Sequence, residues 1–211
     1  MNLKNFLFIY LSFSILQNDL SANQKNVKLS ELAKNCNECD LKTKNLSGLN
    51  YPFVFLDNVN LSGVNIKNGY LFGASLRNAD LSNTYLSLTN LSGSSLSKTN
   101  FYKANLEGSN LSYSTCIETN FKNANMIKIR LDEANLNSSN FFKANLSKSN
   151  LTFANLSNSN LKYSILIKSN LEEANLSGAN LSYANLNRAN LQAANLSKSN
   201  LKKANLSFSD L

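Results

Sequence analysis

Histidine is absent from this chain. Its absence removes the commonest general base, the usual base of a nucleophilic triad and the commonest metal ligand. Cysteine is scarce: Cys36 and Cys39 form one C-x-x-C, Cys116 stands alone, and no second pair completes a four-thiolate metal site. No cofactor and no metal is expected. Long apolar runs are missing too, since the stretch Phe6–Leu16 is too short to anchor stably in a bilayer. Acidic residues are few, 13 against 21 basic ones, giving a net charge of +8 and a pI near 9.4. A partner selected by charge is therefore anionic.

What the chain does have is a period. Every fifth residue from Leu41 to Leu211 is apolar, mostly leucine, varied in chemistry only by residues such as Tyr51, Cys116 and Met126. A small residue stands two before each leucine, usually Asn or Asp one before, and polar or variable residues follow, as in Ala174-Asn175-Leu176-Ser177-Gly178. A helix turns about 100° per residue, so a five-residue step would smear the leucines around the cylinder. A single long strand would flip each successive leucine to the opposite face. The pattern works when each unit is a very short strand followed by a corner. The small residue and the leucine then face inward, the Asn between them faces outward, and the next two residues make the bend. Repetition predicts an all-β solenoid in which stacking supplies the core that one unit cannot bury. Four units, or about 20 residues, per coil are favoured by Phe101, Phe121 and Phe141, which share the central position at a spacing of twenty.

The Ala-Asn-Leu-x-x run resembles the pentapeptide-repeat family across roughly residues 40–211. That resemblance implies a right-handed, four-sided parallel β-helix and no single activity. At about 4.7–4.9 Å per coil, residues 41–211 would build a rod roughly 40 Å long. The pattern weakens before residue 74, where Val54, Val59 and Val64 replace the small residue and Tyr51-Pro52-Phe53-Val54-Phe55 is irregular. The first coils are expected to bulge or bend there. Some family members act as acidic, DNA-like rods on type II topoisomerases; this chain departs from them in its net charge, its apparent leader and its lack of a projecting loop. No nucleic-acid partner is expected.

Residues 1–22 read as a secretory signal, with Lys4 before the apolar core and Leu20-Ser21-Ala22 at its end. Residues 23–40 read as an N-terminal cap segment, and residues 41–211 as the β-helix. Export places the protein in the periplasm or outside the cell, or in the lumen in a phototroph. The alternative is an apolar segment docked on the solenoid. Cys36 and Cys39, taken backwards in register, face the core at the entrance of the helix, where an oxidising compartment favours a disulfide between them. Some exported members of the resembled family carry a similar pair before the first repeat. Cys116 replaces a core leucine and reads as a buried thiol. The repeat runs to Leu211, so the last coil is expected to expose unpaired backbone, either for end-to-end homodimerisation or as a frayed end.

Sorting the outward residues by position within twenty segregates the charge. One wall carries Lys103, Lys122, Lys143, Lys162, Lys202 and Lys203 without an acid, beside Tyr102, Phe142, Tyr163 and Tyr183. The next carries Lys128, Lys148, Lys168 and Arg188 in one column, with Glu107 its one acid. A third carries Asp132, Glu133, Glu172 and Glu173 against Arg130, and the fourth has just Glu118 and Lys198 beyond residue 101. The ten cations of the first two walls are the candidate binding residues. Stacked cations repel by about 1 kcal/mol per neighbour in water, so folding gains nothing from them. Anionic envelope polymers, lipid headgroups and acidic protein surfaces are the partners that fit; ordinary solvated lysines are the competing reading. The paired carboxylates, two coils and about 10 Å apart, lie beyond the inverting-glycosidase range and lack a cleft. No catalytic residue is expected. The expectation is a non-catalytic, exported structural or macromolecule-binding protein, with a cytoplasmic interaction module as first alternative and an enzyme as second.

Overall fold

The computed structural model describes residues 45–211. The signal at 1–22, the cap at 23–40 and the pair Cys36 and Cys39 lie outside the described residues. From Asn45 onward the backbone repeats one five-residue unit: a single bridge residue, a leucine-position residue, a two-residue turn and a small residue. No helix occurs among the described residues. Every bridge is parallel and joins residues twenty apart, from Asn45 with Asn65 to Asn190 with Asp210. Units twenty apart therefore lie over one another, and the bridges fall in four columns.

The unit explains itself through its amides, all of which need a partner once buried. In the unit Asn160 to Ser164, the Asn160 N–H donates to Ser139 in the layer below and the Leu161 N–H to Asn180 in the layer above. The Lys162 N–H donates to the Asn160 side chain at 3.2 Å. The Tyr163 N–H again donates upward, to Ser182, and the Ser164 N–H closes a turn onto the Leu161 carbonyl at 3.0 Å. Asparagine dominates the bridge position because its short side chain accepts the amide two residues on, an Asx turn. Its Nδ2 donates to the asparagine one layer below, as Asn120 does to Asn100 at 2.8 Å and Asn160 to Asn140 at 3.2 Å. The outward asparagine foreseen from the period is thus half-buried and structural.

The turn carries its own sequence rule. Its second residue is left-handed in every unit, with φ of 54 to 62° wherever it is not glycine. Six of the seven glycines sit there, and no Val, Ile or Thr does. β-Branched residues tolerate positive φ least. Pro52 takes the preceding turn position, where its fixed φ suits a type II turn and its missing N–H would have met a side chain alone.

Leucines and small residues fill the interior. Phe101, Phe121 and Phe141 form one stack inside it, with centroids 5.2 and 4.9 Å apart and rings within 12° of parallel. At most small positions held by serine or threonine the hydroxyl donates to a leucine-position carbonyl, although those of Ser149 and Ser159 are buried without a partner. Thr99 donates in this way to Leu76, and Ser164 to Leu161. The expected bulge before residue 74 does not occur. Val54, Val59 and Val64 are buried, and the bridges continue through them without a break in register. The extra methyl groups point into a core that accepts them. In the last layer of described residues Leu196, Leu201 and Leu206 are half-exposed, and their amides have no protein acceptor.

Two substitutions separate core from turn. Leu146→Asp, which buries an unpaired charge, is expected to abolish cooperative thermal unfolding, whereas Ser147→Asp leaves it intact. At the left-handed position, Lys148→Asn is expected to preserve or raise stability and Lys148→Ile to cost about 1–2 kcal/mol. Chemical denaturation of the four variants checks both.

Candidate functional site

Because bridge, leucine and small positions serve the fold, the two turn residues of each unit are free to carry chemistry. Stacking in steps of twenty gathers them into strips. The first strip holds all six lysines assigned to it from sequence. Lys103 lies 5.2 Å from the centroid of Tyr102, and Lys122 and Lys143 lie 5.5 and 5.4 Å from that of Phe142. Lys162 sits over both Tyr163 and Tyr183, and Lys203 also over Tyr183. The rings form a ladder of their own. Phe142 meets Tyr163 edge to face at 5.7 Å, and Tyr163 stacks on Tyr183 at 4.8 Å and 22°.

The second strip brings Lys128, Lys148, Lys168 and Arg188 into one column, all at left-handed turn positions. Among the described residues only Arg188 has a ring beside it, Phe208 at 5.9 Å. Among the described residues none of the ten cations lies within ion-pair distance of a carboxylate; the ion pairs join Arg77 to Asp57, Lys98 to Glu118 and Arg130 to Asp132. The sequence placed the charges. Ring stacking and the seating of lysines on rings escaped it, because they depend on rotamers; aromatic residues twenty apart were the available signal.

The acidic strip is tied up in structure. Asp132 accepts from the Ser112 hydroxyl at 2.7 Å and from Arg130. Burial raises its pKa, but the Ser112 hydrogen bond and the Arg130 guanidinium outweigh that and hold it below the usual carboxylate value. A general acid needs the opposite shift. Asp57 is held low in the same way by Ser75 and Arg77. Glu133, facing the exposed Tyr113, raises that phenol's pKa through its charge. Glu172 accepts from Asn190 at 3.5 Å. Cys116 is fully buried, and burial pushes its thiol up to about 12, with a small opposing effect from Ser114. Among the described residues no three metal-ligating side chains of the His, Cys, Asp and Glu set converge.

Most of the chain matches the family model for pentapeptide repeats, in eight copies over residues 74–112, 114–152, 139–178, 154–192 and 179–211. The chain belongs to the pentapeptide-repeat family. Among solved structures it is similar to a trypsin-treated form of QnrB1, a plasmid-mediated fluoroquinolone resistance protein. The two are 22% identical with a TM-score of 0.53, over 75% of this chain and 77% of that one. The likeness extends to the fold alone. HetL, a pentapeptide repeat protein involved in heterocyst differentiation regulation in the cyanobacterium Nostoc, is 29% identical. That match covers 78% of this chain and 87% of HetL, with a TM-score of 0.32. Among curated proteins, none is close enough to count as a relative.

The Asp132 arrangement has a signed pH dependence. A carboxylate whose pKa falls on folding contributes stability above its unfolded value, and that contribution is lost as pH drops through the folded value. Asp132→Asn should therefore lower the melting temperature at pH 7. The gap to wild type should close as pH falls from about 4 toward 2. Thermal unfolding across that range measures it.

Proposed function

We propose that this protein is an exported, non-catalytic rod whose two adjacent basic strips bind an anionic macromolecule. Within that reading the solenoid is a right-handed, four-sided β-helix with about 20 residues per coil. The parallel bridges at a constant offset of twenty support that form. Export rests on Lys4 and the apolar stretch Phe6–Leu16.

One observation carries the binding proposal. Ten cations stand in two neighbouring strips with no carboxylate paired to them among the described residues. Seven of them, Lys103, Lys128, Lys143, Lys148, Lys168, Arg188 and Lys203, occupy left-handed backbone positions. Such a position costs a side-chain-bearing residue about 1–2 kcal/mol. A cation one layer away adds repulsion of about 1 kcal/mol in water. Glycine or asparagine would serve the fold better at each. A partner's negative charge turns this arrangement from a cost of folding into a source of affinity, and screening by salt makes the contact ionic-strength dependent.

Retention on a sulfonate resin tests the proposal. Full-length protein should elute at a salt concentration well above that of Lys148→Gln/Lys168→Gln, with both proteins melting at the same temperature. Equal elution of the two proteins contradicts it.

A further inference from the structure

The two basic strips differ in how their cations are held. On the second, Lys128, Lys148 and Lys168 have neither a ring nor a carboxylate beside them among the described residues. On the first, five ammonium groups lie 5.2 to 5.9 Å from ring centroids. Seated lysines lose less freedom on binding, which raises affinity at equal charge. Their order along the stack is also regular. Lys103, Lys122, Lys143 and Lys162 supply one cation per layer, alternating between the second and the first turn position. The cations thus zigzag along the strip at one-layer spacing with a two-layer repeat.

The rings limit what can lie there. Tyr163 and Tyr183 cover one another, and Phe142 has Lys122 and Lys143 within 5.5 Å of its centroid and the Tyr163 ring beside it. Faces used in this way are poor platforms for nucleobases, which single-strand binders stack on aromatic rings. A duplex also carries one charge per about 1.7 Å of axis, far denser than one cation per layer of about 4.8 Å. A membrane surface would call for apolar side chains standing out to insert, yet Tyr163 and Tyr183 are only 40% and 38% exposed.

We propose that the first strip binds a linear acidic polysaccharide lying parallel to the stack. The polymer would carry one carboxylate per sugar, with successive sugars turned by half a revolution. Such a chain presents its carboxylates alternately to its two sides at intervals of one sugar ring, the pattern in which Lys103, Lys122, Lys143 and Lys162 are set. The phenol hydroxyls of Tyr163 and Tyr183 supply further donors where the lysine series skips a layer at residues 182 and 183. This inference rests on the reading of the basic strips as anion-binding and assigns the ligand class to one of them.

Binding of full-length protein to end-labelled polymannuronate, a 1→4-linked uronate chain, tests it at low salt. Two variants remove equal charge: Lys122→Gln/Lys143→Asn/Lys162→Gln on the first strip and Lys128→Asn/Lys148→Asn/Lys168→Asn on the second. Asparagine is used where φ is positive, so both variants are expected to fold, and cooperative melting no lower than that of wild type checks this. The first variant should bind about tenfold or more weakly and the second less than about threefold. Equal losses would overturn the assignment to the first strip and leave general anion binding standing. Tighter binding to polyglutamate, poly(dT) or anionic phospholipid vesicles than to polymannuronate would overturn the ligand class. Salt-independent passage of the wild-type protein through the sulfonate resin would instead remove the reading on which the inference rests.

Discussion

Hydrogen bonding from one layer to the next, repeated through parallel bridges between residues twenty apart, is the constraint from which the rest of this structure follows. In a complete unit such as Asn160–Ser164, three amides are spent on neighbouring layers, a fourth closes the turn, and the fifth finds the asparagine side chain. That division fixes which residue types each position accepts. The bridge position needs a short acceptor, the leucine position fills the interior, and the small position must fit beside it. The second turn position must tolerate positive φ. A repeat of five with so little variation is the imprint of four separate physical duties.

Much of this is legible in the residues alone. The leucine register excludes helix and long strand, and the phenylalanines at 101, 121 and 141 point to the spacing at which their rings do stack. Val54, Val59 and Val64 show where reading by pattern misleads. A departure from the consensus small residue suggested distortion, but the interior has room for the added methyl groups. The asparagine ladder was equally hidden. A residue that reads as polar and outward can satisfy the backbone and its neighbours at once, and only the geometry reveals both bonds. Tyr163 and Tyr183 could be placed in one column from sequence. That they stack on each other, with Lys162 over both, depends on side-chain rotamers that no period encodes.

The same division of labour explains why function is written so thinly. Positions with a duty to the fold carry little information about a partner, so the turn residues hold nearly all of it. Their freedom makes charge there informative. Asp57 and Asp132 use it for local hydrogen bonding and ion pairing, each with neighbours beside its own strip. The lysines and Arg188 of the two basic strips have no such internal counterpart, and many stand where the backbone disfavours any side chain. Stability and surface chemistry pull apart at those positions, and the cations mark where.

Amide hydrogen exchange resolved by residue tests the layered hydrogen-bond register most directly. In the interior layers between residues 105 and 185, amides at the bridge, leucine and second turn positions should be protected most. The amide after each leucine-position residue, held at most by a side chain, should exchange fastest, giving a protection pattern with a period of five. Protection that is uniform through each unit, or that recurs with a helical period near 3.6, would contradict the account.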